Sequence, residues 1–380
     1  MFYIETLADL KKKPRGKRTG EDLVRDIAFR TPELNSVPNT YHGDLVIASL
    51  LGEDIKTNDF RPHISGAIPT NSNGEKGYRF EVSSEAKSFN RWQDEEFYEL
   101  EKEFAQIWRS SIENMSFEFS RPYVENLGID LDACKNLSDA YEAARKIIVA
   151  EQQPSLFASF LISLNIPKGL HPKIIKYYQL LGQPSINKFS PYAAHVLHID
   201  IFFYISVARG FISGERPSNK VDMSYLYYLP FCNIFISGDK LHRTTARFFM
   251  KEDQQFIWAP DLKKDLNNLN NFYQALPEEE KELGLHSFAS YPPEDITYLT
   301  TSLWDSYLPR WRTTKKNKKV PLNDESSKKL LKELQKHASA SQIEGNSNEY
   351  NEENVKHMTL KRNVSKKRGS WYQLPKSLKH

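Results

Sequence analysis

Cysteine is almost missing from this chain: Cys134 and Cys232 are the only two in 380 residues, nearly a hundred positions apart and in unlike surroundings. A disulfide framework is thereby excluded, and a cysteine-based zinc site has too few ligands. No run approaches the roughly 20 consecutive apolar residues of a membrane-spanning helix. In "MFYIETLADLKKKPRGKR" the basic residues follow the apolar ones, the reverse of a secretory signal. There is no glycine-rich phosphate loop and no G-x-S-x-G elbow, so nucleotide-binding and serine-hydrolase chemistry have no motif to rest on. The expectation is a soluble cytoplasmic protein with no membrane segment.

Aromatic residues are plentiful at 12%, although hydrophobic residues as a whole make up only 39%. A real core is expected, with part of the chain outside it, and the length suits two domains or one elaborated domain. The net charge of +3 hides an asymmetry. Residues 310–380 carry 18 Lys and Arg against 7 Asp and Glu, a net of +11, and the remaining 309 residues carry −8. A basic tail on an acidic body suits a polyanionic partner or an intramolecular contact, or serves only solubility.

Along the chain, Phe2 to Ile4 read as a short strand leading into a helix. A helical pattern from Gly20 to about Lys56 is interrupted around Pro32 and Pro38. Residues 59–77 read as loop, and "YRFEVS" as a brief strand. The stretch 94–115 places Phe97, Leu100, Phe104, Ile107 and Trp108 at helical spacing, which predicts an amphipathic helix. Further helices are expected near 137–150, 154–165 and 171–183. Residues 190–212 are apolar on nearly every side and predict a buried helix capped by Ser190. Then come helix, strand, helix and strand with short joins: "VDMSYLYYLPFC" opened by Asp222, "NIFISG", "DKLHRTTARFFM" and "QQFIWAP". That order is the signature of a parallel sheet with covering helices. Beyond about residue 313 a helix at 326–337 and a polar, disordered stretch are expected.

Three acids stand where strands meet helices: Glu5, Asp222 and Asp239. Strand ends in a parallel sheet share one edge, so the three can converge there. Clustered carboxylates repel, and a hard cation such as Mg²⁺ or Mn²⁺ relieves them. Each also has an ordinary explanation, since Asp222 and Asp239 suit helix N-caps and Glu5 suits a helix start.

These residues resemble the PIN-like domain, a family of metal-dependent nucleases. Glu5-Thr6 after "FYI" matches its first strand, which ends in Asp-Thr. Asp222 opens the matching late helix, and Ser237-Gly238-Asp239 matches its Thr-x-Asp strand end, 17 positions on. The resemblance implies an α/β core from residues 1–18 and 213–312, a mostly helical insertion at 19–212, and a basic, partly disordered tail at 313–380. It implies Mg²⁺ or Mn²⁺ held by Glu5, Asp222 and Asp239, with these three catalytic and Thr6, Ser237 and Lys240 in support. Glu5 in place of Asp is a departure, and the family's further acid has no clear match. Asp200, a carboxylate in the apolar "HIDIFF", is the candidate for it; Glu151 and Glu101 are weaker alternatives that read as solvated.

His195 and His198, three apart, have a spacing that suits metal but read as packed residues. His242 reads as covering a helix surface, and Tyr225, Tyr227 and Tyr228 as packing. In the tail, Lys366, Lys367, Arg368 and Trp371 suit phosphate contacts and base stacking, or docking of the C-terminus on the body. The expectation is a metal-dependent nuclease acting on nucleic acid, first of all an endoribonuclease, with oligomers allowed. The alternatives are an inactive PIN-like binding module and an all-helical protein whose acids are only caps.

Overall fold

A helix that is apolar on every side has to be enclosed on every side, and the stretch 191–208 is. Tyr192, Leu197, Ile199, Phe202, Phe203 and Ile205 are each 0–1% exposed. The computed structural model describes residues 2–12, 18–31, 41–53, 67–72, 75–80, 84–151, 154–282, 284–295 and 297–313. The chain divides into two units, residues 1–258 and 259–380.

The first unit runs α1 (Phe2–Ala8), α2 (Gly20–Ala28), α3 (His42–Leu50), β1 (Ala67–Ser72), β2 (Glu75–Phe80), α4 (Ser84–Gln93) and α5 (Glu99–Glu113). It continues with α6 (Ser120–Asn126), α7 (Leu137–Val149), α8 (Pro154–Ser163), α9 (His171–Leu180), α10 (Ile186–Phe189) and α11 (Pro191–Ala208). It ends with α12 (Ser218–Ser224), a 3-10 segment Tyr225–Phe231, β3 (Ile234–Ser237), α13 (Lys240–Phe249) and β4 (Gln255–Trp258). α11 packs on α3, α6, α7, α10 and α12 and organises the main core. It is apolar and just long enough to cross a membrane by length and composition, but 67% of it is buried inside the protein. Leu7, Val24, Ala28, Phe89 and Trp92 form a second, smaller cluster between α1, α2 and α4.

The expected α/β pattern is present at small scale within a mostly helical chain. β3 and β4 pair in parallel, Ile234 opposite Gln255 and Ser237 opposite Trp258, and α13 is the crossover between them. α13 buries His242, Thr245, Ala246 and Phe249, the i, i+3, i+4, i+7 stripe of a helix laid on a surface.

Several sequence expectations are corrected. Phe2–Ile4 belong to α1, not to a strand. Tyr3 and Leu7 lie one turn apart, so a helix points both toward the smaller cluster, where the Tyr3 ring sits 5.1 Å from that of Trp92. Residues 67–72, read as loop, pair with 75–80 in an antiparallel hairpin. Between them lies Asn73-Gly74, the strongest short hairpin signal. Asp222 does not open its helix but lies in the last turn of α12. The Ser190 hydroxyl makes no cap bond and meets Ser49 Oγ at 2.7 Å instead.

α5 forms as expected but turned the other way. Leu100 is 75% exposed and Ile107 64%, whereas Glu101 and Ala105 are buried. The reason is polar: the Glu101 carboxylate accepts from Arg91 at 2.8 Å, Trp92 Nε1 at 3.2 Å and the Tyr98 N–H at 2.9 Å, and Arg109 donates to the Ala8 carbonyl at 2.7 Å. Glu101 is therefore paired rather than solvated. Glu151 is exposed and pairs with Lys188.

The second unit comprises α14 (Ala259–Gln274), α15 (Glu278–Glu282), α16 (Leu285–Phe288) and α17 (Leu299–Tyr307). The buried Asp265 of α14 caps α17, accepting from the Leu299 and Thr300 N–H groups at 2.7 and 2.9 Å. The tail from 314, with Lys366, Lys367, Arg368 and Trp371, lies outside the described residues, as does the helix expected at 326–337.

Candidate active site

At the end of β3 the chain turns through Gly238 into α13, and Asp239 takes the N-cap. Its Oδ1 accepts the Leu241 N–H at 2.6 Å, so the capping role is present. Only one carboxylate oxygen is used this way. Oδ2 lies 3.8 Å from Nη2 of Arg216, and that same nitrogen lies 3.7 Å from Asp222 Oδ2. Asp222 and Asp239 thus share one guanidinium nitrogen and stand close to each other.

The two acids are fixed by a relay through His242. Its Nε2 is 2.6 Å from the Asp222 carbonyl, which can only accept, so Nε2 carries the proton. Nδ1 is hydrogen-bonded to the Ser237 hydroxyl at 2.8 Å, and Ser237 Oγ in turn accepts the Asp239 N–H at 3.0 Å. The backbone of α12, the end of β3 and the cap of α13 are tied together by three hydrogen bonds. His242 is 5% exposed, not the surface residue its position suggested.

Glu5 reaches the same place from α1 rather than from a strand end. Its carboxylate accepts a hydrogen bond from the Tyr225 hydroxyl, and burial together with Glu5 raises the Tyr225 pKa. The Asp222 carboxyl is pushed up from its ordinary value of 3.8 to about 6. Burial is the main cause and the Asp239 charge the next; Glu5 adds to them, and His242 and Arg216 oppose. Asp222 Oδ2 is buried and has no hydrogen-bond partner among the described residues.

Such an arrangement concentrates negative potential on a desolvated oxygen, and its donors are hard carboxylates. No group of three or more His, Cys, Asp or Glu side chains among the described residues is arranged to hold a metal ion alone. Mg²⁺ asks for less, since it keeps several waters and is commonly bound through one or two carboxylates. Asp222 and Asp239 fit that pattern. Arg216, with a side chain 63% exposed, neutralises the pair from the solvent side.

Asp200 does not join them. It is 7% exposed on α11, and its carboxylate is held by Lys220 and by the Tyr227 hydroxyl. The partner that a buried acid requires is here an ammonium, and the expected role as metal ligand is not supported by its position. Thr6 is buried at 2% exposure, and Lys240 is exposed on the first turn of α13. His195 and His198 pair with the carbonyls of Leu226 and Tyr141 at 2.9 and 3.2 Å, and burial lowers both to about 4. They are neutral, packed histidines. Sequence reasoning missed Arg216, Tyr225 as a partner of Glu5, and Lys220. The first and last sit in "SGERPSNK", a turn-like stretch whose pattern marks no partner.

Comparisons with protein-family models, with curated proteins and with solved structures find no match for this chain.

Proposed function

We propose that the protein is a metal-dependent nuclease of the cytoplasm that hydrolyses phosphodiester bonds, and specifically an endoribonuclease. In this reading β3, α13 and β4, with Asp222 and Asp239, form the late half of a PIN-like site. The observation that carries it is Asp222 Oδ2, a desolvated carboxylate oxygen without a hydrogen bond, 3.7 Å from the guanidinium nitrogen it shares with the Asp239 carboxylate. Asp222 and Asp239 would hold Mg²⁺ or Mn²⁺, with Glu5 adding charge behind them. A bound ion of this kind lowers the pKa of water and steadies charge on phosphorus-bound oxygens. Ser237 and His242 hold the two carboxylates in register. Arg216, long and exposed, can leave the acids for a phosphate once a cation replaces it, and Lys240 offers a second positive charge at the start of α13.

A second reading has its own support. Arg216 already bridges both acids and Tyr225 already occupies Glu5, so the cluster can also be a neutralised remnant in a non-catalytic module that binds nucleic acid or protein. Cleavage of single-stranded RNA and DNA with Mg²⁺ or Mn²⁺, against EDTA, separates the two. Asp222→Asn and Asp239→Asn are expected to lower turnover by at least ~100-fold. Asn caps a helix as well as Asp does, so the Asp239 variant tests charge and not folding. Full activity in Asp239→Asn sinks the nuclease; metal-independent binding without turnover supports the module.

A further inference from the structure

The second unit contains a cavity of about 420 Å³ lined by Tyr291, Trp304, Tyr307, Trp311, Leu308 and Arg310. That is within the size range of small-molecule sites. The rings of Tyr291, Trp304 and Trp311 touch one another with centroids 5.8, 6.0 and 6.1 Å apart, in edge-on and stacked arrangements. They make a rigid aromatic floor. α17 brings Trp304 and Tyr307 to it one turn apart, and Arg310 is exposed at the rim.

The electrostatics narrow the ligand. Asp305, the acid bonded to Trp311, is fully engaged. It accepts Trp311 Nε1 and Arg312 Nε on Oδ1 and Arg312 Nη2 on Oδ2, each at 2.8 Å. Trp311 is 3% exposed and lies under the Arg312 guanidinium, 4.5 Å from its ring, so it supports the floor from beneath and the partly exposed Tyr307 faces the cavity. A cage for a quaternary ammonium would need a cation-free rim or an uncommitted carboxylate, and here the lining residue with charge is an arginine. The ten residues from Arg310 to Lys319 hold six Lys and Arg and no Asp or Glu. Aromatic faces with cations along the chain are the chemistry that holds a nucleobase and its phosphates.

We infer that this cavity is a base-stacking site for single-stranded nucleic acid. It uses no residue of the carboxylate cluster, so it stands or falls separately from the nuclease reading. A base stacks in the cavity against Tyr307 and the aromatic floor, and Arg310 meets an adjoining phosphate.

The test is fluorescence anisotropy of a labelled single-stranded 12-mer RNA with the full chain in EDTA, at two salt concentrations. The absence of metal keeps the result independent of catalysis. Tyr307→Ala is expected to weaken binding about tenfold and Tyr307→Phe to leave it within about twofold, as stacking requires. Arg310→Gln is expected to weaken binding and to reduce the salt slope by about 1. Should Tyr307→Ala melt early, Tyr307→Phe and Arg310→Gln still carry the test. Unchanged affinity in Tyr307→Ala overturns the site, as does heparin competing as well as RNA, which would leave only general attraction to polyanions. Capture of a proline-rich peptide in place of RNA would overturn it also.

Discussion

Asp200 and Asp222 are both acids drawn out of water, 22 positions apart, and the fold treats them in opposite ways. Asp200, on the central helix, meets the ammonium of Lys220 and the hydroxyl of Tyr227. Lys220 also lies over the rings of Tyr204 and Phe203, at 5.1 and 5.4 Å. Asp222 is carried by the same short helix as Lys220 but turns to other neighbours: two acids, and one arginine at 3.7 Å with its side chain largely in solvent. The first carboxylate is completed by the fold and holds helices together. The second is left electrostatically unfinished, and on the proposed reading a cation completes it.

The largest effect should come from breaking the completed pair. Lys220→Met strands Asp200 in the core, and urea denaturation followed by circular dichroism is expected to show a loss of about 3–5 kcal/mol. Removing both charges, as Asp200→Leu with Lys220→Met, should recover most of it. A loss under about 1 kcal/mol for Lys220→Met would erase the contrast with Asp222.

The unfinished site should respond to ligand instead. With Mn²⁺ at a hundred times its dissociation constant, the free energy of unfolding is expected to rise by about 2.7 kcal/mol. Thermal denaturation measures this, and the gain should vanish in Asp222→Asn but persist in variants of Asp200. Stabilisation by Mn²⁺ that survives Asp222→Asn would place the metal elsewhere.

That contrast was only half legible in the sequence. The β3–α13–β4 module was readable because apolar strands of four to six residues flank an amphipathic helix with a capping acid, and local pattern decides such elements. The 17-residue spacing brought Asp222 and Asp239 together on paper as it does in space. Asp200 was rightly marked as needing a partner, but nothing periodic in "SGERPSNK" identifies Lys220 as that partner or Arg216 as the other cation. α1 was misread because three apolar residues fit a strand or a helix equally, and the packing of Tyr3 and Leu7 decides between them. On α5 periodicity located the helix and misplaced its inner face. The hydrogen bonds of Glu101 and Arg109 outweigh the burial of Leu100 and Ile107, and long-range polar pairing of that kind leaves no trace in spacing.

Two smaller effects sharpen the comparison within the cluster. In the fold Asp222 keeps its proton up to about pH 6, against an ordinary value of 3.8. Between those values the folded protein binds more protons than the unfolded chain, so stability falls as pH rises from about 4 to about 6 and then stays lower. Asp222→Asn carries no such penalty. Without metal it should be more stable than the parent above pH 6 by about 1–2 kcal/mol and equal to it near pH 4. The figure lies below the ~3 kcal/mol of a dry site because the Asp222 side chain keeps 20% exposure. Equal stability across that range would mean the acid is not desolvated. Arg216→Gln should change unfolding least, by under about 0.5 kcal/mol, since an exposed arginine contributes little to stability. Its effect belongs to binding: if the guanidinium competes with the cation for both carboxylates, isothermal titration with Mn²⁺ should show tighter binding in Arg216→Gln. Weaker binding would instead make Arg216 a support of the acids and not their stand-in partner.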